Sequence, residues 1–166
     1  MSVSADILHS WRDPRGVVRG LLAHGTREDR ALAYLMTACA LGFLAQWPRL
    51  VRQAQIDDTV PLAALMGGAL MGWLFIAPLL LYGLAALLRL VMLALRRPVG
   101  WYAARLALFW SMLATSPLWL LHGLVAGLAG PGLPSLVVGG AALVAFFWQL
   151  GSALATAALE APAARA

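Results

Sequence analysis

The sequence is poor in charge, contains no lysine and has a single cysteine. All 12 basic residues are arginines, and only 11% of the residues carry a formal charge. The segment from Leu106 to Leu159 runs for 54 residues without Asp, Glu, Lys or Arg. Helices of water-soluble proteins need a polar face, whereas about 20 apolar residues suffice to cross a bilayer. This absence excludes a water-soluble core and predicts two membrane-spanning helices in the segment.

The sequence also lacks the residue patterns that catalysis and metal binding require. The single Cys39 excludes an intramolecular disulfide and a multi-cysteine metal site. No two histidines share a helix face, and no phosphate loop or nucleophile elbow occurs. The pair Asp57-Asp58 is able to hold a divalent cation, but helix capping is the commoner role of such residues. We therefore expect no enzymatic activity, no cofactor and no metal. All seven carboxylates lie outside the spans predicted below: Asp6, Asp13, Glu28, Asp29, Asp57, Asp58 and Glu160.

Apolar sequence is abundant, with 62% hydrophobic residues and a mean hydropathy of +0.82 over 166 residues. These values predict an all-α fold, a polytopic bundle of transmembrane helices. Helix breakers divide it into four spans at about residues 30–47, 61–95, 103–128 and 135–158. Thr26 to Asp29 has the form of a capping box before the first span, and Trp47-Pro48 is expected to end that span.

Pro117 lies in the middle of the third span. A proline inside a helix removes one backbone hydrogen bond, here the one to the carbonyl of Leu113. We expect a kink or a split into two half-helices at this point. A fifth crossing stays open as an alternative, because a split would move the C-terminus to the other side.

An amphipathic segment precedes the first span. Apolar side chains of residues 7–22 gather on one face of a helical wheel, and Asp13-Pro14 divides the segment into two pieces. We expect residues 1–25 to lie in the cytoplasmic interface, followed by the transmembrane domain over 26–160 and a short tail over 161–166. Packing of the segment onto the bundle or onto a partner is the alternative.

Arginines set the expected orientation. With four spans, ten arginines fall on the side of the N-terminus, and only Arg49 and Arg52 fall on the other side. The positive-inside rule then places both termini in the cytoplasm. The net charge of +5 is explained by membrane lipids as partners rather than by nucleic acid. Candidate contacts to lipid headgroups are Arg12, Arg15, Arg19, Arg96 and Arg97.

Small residues recur at helical spacing in two spans. Ala64, Gly68 and Gly72 lie four residues apart in the second span, and Gly123 and Gly127 do so in the third. Such spacing lets helix backbones approach closely in lipid. Packing inside the bundle and a dedicated oligomer face both explain the pattern.

Polar residues inside the last two spans are the candidates for a functional site. Ser111, Thr115 and His122 fall on one face of the third span and form a polar stripe. Intramembrane ionisable residues suggest function, although a hydrogen-bonded neutral histidine is the alternative for His122. Gln149 in the fourth span is expected to bond across to another helix rather than to touch His122.

Two stretches resemble the bacterial branch of the Yip1 family of multi-pass membrane proteins. The first is the proline-marked amphipathic stretch Ile7–Arg15 before the first span. The second is Gly100-Trp101-Tyr102 leading through Arg105 to Ser116-Pro117. The resemblance implies a non-enzymatic membrane protein without catalytic residues or cofactors, although the family usually shows about five hydrophobic segments.

We therefore expect a non-enzymatic protein of the bacterial inner membrane. It is expected to act by helix–helix association with membrane partners, with further copies of itself, or with lipid. The alternative is a small transporter or channel component that uses the stripe of Ser111, Thr115 and His122.

Overall fold

The structure, a computed structural model, describes residues 3–57 and 59–160, and these form helices joined by short loops. Four helical spans are long and apolar enough to cross a membrane, as the sequence predicts. No fifth such helix and no strand occurs among the described residues. The elements are α1 (Val3–Ser10), α2 (Pro14–Ala23), α3 (Glu28–Ile56), α4 (Leu62–Met71), a π-helical turn (Gly72–Ile76), α5 (Ala77–Ala94), α6 (Trp101–Leu128) and α7 (Leu133–Glu160). Helix α4, the π-helical turn and α5 form one continuous apolar helix, called span two below.

Helix α3 is longer than the sequence predicts. It continues through Pro48 to Ile56, so the predicted end at Trp47-Pro48 is wrong. A proline costs the helix one hydrogen bond, and Pro48 packs against Gly127 of α6, where the absence of a side chain makes room for it. The predicted capping box is also wrong, because Arg27 is the N-cap residue and no side chain caps this helix.

Helix α6 is the centre of the bundle. Between Leu106 and Ser116 every residue except Met112 is buried, because α1, α3, α5 and α7 all pack around this part. The helix is continuous from Trp101 to Leu128, so the predicted split at Pro117 does not occur. Packing on several sides holds the helix together where one backbone hydrogen bond is missing.

Helices α3 and α6 run parallel, with contacts along their whole length. Residues of α3 meet residues of α6 that lie about 77 positions later in the chain, which is the pattern of two parallel helices in constant register. The contacting pairs are Glu28 with Arg105, Tyr34 with Trp110, Ala45 with Gly123, Pro48 with Gly127, and Arg52 with Leu128. This pair defines two ends of the bundle, a basic end near Arg105 and a far end near Arg52.

The two N-terminal helices pack on the bundle rather than standing apart from it. Asp13 caps α2 by accepting a 2.9 Å hydrogen bond from the amide of Gly16, and Gly25 ends the segment with a φ of +80°. Helix α2 packs on α7 and α1 packs on α6, burying Val18 and Leu21. The structure thus shows the alternative of packing on the bundle.

Span two contains the only π-helical turn among the described residues. Pro78 has no amide hydrogen for the carbonyl of Leu74, and the chain widens just before it, with the amide of Ala77 bonding to the carbonyl of Gly72. Only 6% of the most apolar part of span two is buried inside the chain, against 50% for α6. Most of this span therefore faces away from the protein.

Candidate functional site

The hydroxyl groups of the predicted polar stripe are sealed inside the bundle. Ser111 donates a 2.6 Å hydrogen bond to the carbonyl of Ala107, and Thr115 donates one of 2.8 Å to the carbonyl of Ser111. Both side chains are completely buried. Because their donors are used within α6, these two residues present nothing to a ligand or a conducting path.

Gln149 belongs to a buried junction that joins the N-terminal helix to the bundle. Its Nε2 donates a 3.0 Å hydrogen bond to the carbonyl of Ser10, the last residue of α1. The hydroxyl of Ser10 accepts a 2.9 Å bond from Nε1 of Trp110. One residue further, Nε1 of Trp11 donates 3.1 Å to the carbonyl of Ala114, just before the Pro117 region. Gln149 thus bonds across to another helix, and that helix is the N-terminal one.

Sequence reasoning missed Ser10 and Trp110 as parts of this junction. Neither belongs to a motif, since a serine at a helix end and a tryptophan in an apolar span are common. The one available signal was that a buried indole N–H needs an acceptor.

An elongated cavity of about 430 Å³ lies between span two and α7, with α3 and α6 as its other walls. Helix α7 packs on α6 and α2, whereas span two packs on α3 and α6, so these two outer helices make at most marginal contact. The cavity occupies the resulting gap and reaches the surface of the bundle at Phe147, which lines it and is exposed. Apolar side chains form most of its wall: Trp73, Leu81, Met112, Trp119, Leu143, Phe146 and Phe147.

The π-helical turn places Trp73 in this cavity. Its ring lies against Gly42 of α3, where a Cβ would come within 2.5 Å of the indole. A side chain at position 42 would therefore push the indole out of place. The local widening of span two and the bare backbone of α3 together shape one wall.

His122, the third member of the predicted stripe, lines the cavity. Its ring fits against Gly139 of α7, where a Cβ would lie 3.0 Å from Nδ1. Nδ1 is buried and without a hydrogen-bond partner, while Nε2 is not completely buried and also forms no hydrogen bond. A buried N–H without an acceptor is costlier than an unpaired lone pair, so we assign the proton to Nε2, as a donor into the cavity.

Polar groups gather where the cavity approaches the far end. Gln46 and Arg49 of α3 line it there, and neither side chain forms a hydrogen bond or an ion pair with the described residues. No carboxylate lines the cavity. The site therefore combines a mostly apolar interior with one cation and a few neutral hydrogen-bonding groups, among them Gln46, Ser116 and His122.

The two sets of small residues have different surroundings. A Cβ on Gly123 would overlap the carbonyl oxygen of Ala45, and one on Gly127 would overlap Pro48, so this pair packs against α3. By contrast, a Cβ on Gly68 or Gly72 would meet nothing within 4 Å, and Ala64 is exposed. The face of span two that carries Ala64, Gly68 and Gly72, called the small-residue face below, is empty.

The five predicted headgroup arginines are all exposed. Arg19 also forms a 3.1 Å ion pair with Glu160 at the end of α7. Both partners are substantially exposed, so this pair contributes little to stability. The five arginines that are predicted to bind lipid headgroups are thus accessible from outside the bundle.

The predicted acidic pair lies in the loop before span two. Asp57 accepts hydrogen bonds from the hydroxyl and the amide of Thr59, and these hydrogen bonds lower the pKa of Asp57. Asp58 lies outside the described residues, as do the tail 161–166 and Arg165. The carboxylate of Asp57 orders the loop and does not cap span two, whose N-cap residue is Pro61.

No protein-family model, no curated protein and no solved structure matches this chain. The resemblance to the Yip1 family rests on the two sequence stretches alone. The structure places the first stretch in α1 and α2 and the second at the start of α6.

Proposed function

We propose that this chain is a non-enzymatic, multi-pass membrane protein of the Yip1-like type that acts by associating with membrane-embedded partners through span two. One observation carries the proposal. Of the two small-residue patterns, Gly123 and Gly127 are used inside the bundle, whereas the small-residue face of span two is left empty. Small residues at four-residue spacing let a second helix approach closely, and close contact drives association in lipid.

The location and orientation belong to the same proposal. Four apolar helices support insertion in a membrane, here the bacterial inner membrane. The excess of arginine at the basic end supports a cytoplasmic position for both termini and for the loop with Arg96 and Arg97. Exposed Arg12, in the turn between α1 and α2, and Arg15 of α2 would then lie close to anionic headgroups.

The experiment is affinity purification of the tagged chain in a mild detergent, compared with two glycine-to-leucine variants. Gly68→Leu places a bulky side chain on the small-residue face, where a Cβ meets nothing within 4 Å. Gly140→Leu makes the same change on α7, where a Cβ also meets nothing within 4 Å. We expect the wild type and Gly140→Leu to carry a stoichiometric partner or a second copy, and Gly68→Leu to lose it.

Two results would count against association through this face. One is a wild-type chain that purifies as a clean monomer with no partner. The other is Gly68→Leu retaining the partner as well as Gly140→Leu does.

The alternative is a small transporter or channel component. The cavity with His122 supports it, but Ser111 and Thr115 do not line that cavity, and conducting paths need more polar lining than remains. Solute flux in proteoliposomes that falls with His122→Ala would favour this alternative. Flux that is unchanged by His122→Ala would remove the main support for the transporter alternative.

A further inference from the structure

The cavity between span two and α7 differs from the empty small-residue face, because both apolar and polar side chains line it. Its volume of about 430 Å³ falls within the range of small-molecule pockets, roughly 300–1,000 Å³. Aromatic and aliphatic side chains line the interior, and the only charged lining residue is Arg49. An occupant must therefore carry an apolar part for the interior and a polar part for the neighbourhood of Arg49.

The position of Arg49 indicates where that polar part lies. Residues Ala31 to Pro48 form an uncharged segment whose 18 residues rise about 27 Å, close to the thickness of the hydrocarbon core. Arg49 follows this segment directly, so a membrane-embedded chain holds its guanidinium at the level of the headgroups. Guanidinium groups pair well with phosphate oxygens.

Two further groups in the wall favour oxygen acceptors. Nε2 of His122 is not completely buried and is assigned as a donor into the cavity, and the amide of Gln46 has no partner. His122 lies six residues before the end of α6, which is about 9 Å inside that end. This depth suits the ester region of a lipid beneath its phosphate.

The gap between span two and α7 gives such a molecule a route from the bilayer. Phe147 lines the cavity at the middle of α7 and is 64% exposed, so the cavity reaches the surface at mid-span. An acyl chain entering between them would lie against Trp73, Phe146 and Phe147. No soluble entrance is needed.

We propose that this cavity is a binding site for one anionic phospholipid. The phosphate pairs with Arg49, ester oxygens accept from His122 or Gln46, and one acyl chain fills the space between span two and α7. The site is separate from the small-residue face, so Gly68→Leu is expected to leave lipid binding unchanged. Failure of either proposal therefore leaves the other standing.

The test is native mass spectrometry of the purified chain titrated with palmitoyl-oleoyl phosphatidylglycerol, with phosphatidylcholine of the same chains, and with oleic acid. We expect one bound phosphatidylglycerol, held at least about tenfold more tightly than phosphatidylcholine, because the choline cation offsets the phosphate charge and repels Arg49, whereas phosphatidylglycerol keeps its net negative charge. Arg49→Gln should remove that preference. Arg27→Gln, the same loss of charge at an exposed position that is neither in the cavity nor among the predicted headgroup arginines, should keep it.

A second pair of variants tests the interior. Ala126 lines the cavity and Ala141 is exposed on α7. Ala126→Trp should fill the space and abolish the bound lipid, while Ala141→Trp should not. Circular dichroism and size-exclusion profiles check that each variant is folded, and Ala126→Leu, a smaller filling residue, replaces the tryptophan variant if the latter fails.

Three results would overturn the proposal. Equal affinity for phosphatidylglycerol and phosphatidylcholine would remove the role of charge. A lipid affinity that is unchanged by both Arg49→Gln and Ala126→Trp would show that the lipid binds outside this cavity. Tighter binding of oleic acid, lost in the same variants, would make the ligand a free fatty acid instead of a phospholipid.

Discussion

The indole nitrogen of Trp110 donates a 2.9 Å hydrogen bond to the hydroxyl oxygen of Ser10, so the central helix α6 holds the end of the N-terminal helix α1. Both side chains are fully buried. The carbonyl of the same serine accepts from Gln149 of α7, which brings three helices together at one residue. A segment that the sequence places at the membrane interface is in this way tied to the middle of the bundle.

Ser10→Ala should loosen this junction. The substitution leaves the buried indole N–H of Trp110 without an acceptor, which costs about 1–3 kcal/mol. We expect faster hydrogen exchange across α1 and α2, with little change in α3, measured by mass spectrometry in detergent or nanodiscs. The double variant Ser10→Ala with Trp110→Phe removes both partners and should cost less than the sum of the two single changes. Strict additivity would show that the hydrogen bond contributes nothing.

Gly123→Ala should destabilise the whole bundle. Its new methyl group would overlap the backbone carbonyl of Ala45, and backbone cannot move aside as the tip of a side chain can. Overpacking of this kind costs about 1–3 kcal/mol. Thermal unfolding in detergent should show the loss as a lower midpoint.

Gly140→Ala is the matched control for that change. Position 140 is helical and open, so alanine should be neutral or stabilise the helix by roughly 0.5–1 kcal/mol. Equal midpoints for the Gly123→Ala and Gly140→Ala chains would contradict close packing of α3 on α6.

Arg52→Gln should weaken the far end of the bundle. The guanidinium of Arg52 donates to the carbonyls of Gly127 and Leu128, at 3.4 Å and 3.3 Å, where α6 ends. A cation at a helix C-terminus stabilises it by about 0.3–1 kcal/mol. We expect a modest fall in thermal midpoint and faster exchange of residues 124–130. Arg49→Gln, which breaks no such bond, should leave both unchanged.

Orientation is tested by reporter fusions. With the arginine-rich side in the cytoplasm, reporters placed after Arg97 and at Ala166 should both be active as cytoplasmic fusions. A reporter after Gln55 should be periplasmic. A periplasmic signal at Ala166 would refute the four-span topology.

The sequence predicts spans better than it predicts their ends. Four apolar helices follow from uninterrupted hydrophobic runs, and the turn near Gly130 follows from clustered breakers. At Pro48 the predicted helix end is wrong, and at Pro117 the split, one of the two predicted alternatives, does not occur. A proline removes one hydrogen bond, and whether a helix continues past it depends on neighbours such as Gly127, which sequence spacing does not identify.

The residues of the candidate site could also be predicted only in part. The sequence predicts His122 and Gln149 as site candidates, because polar side chains are costly in lipid. In the structure His122 lines the cavity and Gln149 binds the carbonyl of Ser10. Ser111 and Thr115 share a wheel face with His122, yet they bond within their own helix and do not reach the cavity. The sequence does not predict that Trp73, Gln46 and Arg49 line one cavity, because nothing in their own spans shows that they meet.

Four apolar helices and an arginine-rich end can be predicted from the order of the residues, because the length of an uncharged run is a local property of the chain. Which small residues pack inside the bundle, where the N-terminal helices lie and that a cavity forms beside α7 are apparent only in the fold. Those features depend on which helix faces pack together. In an apolar chain many helix faces have similar sequences, and close backbone contact at residues such as Gly123 determines which of them pack.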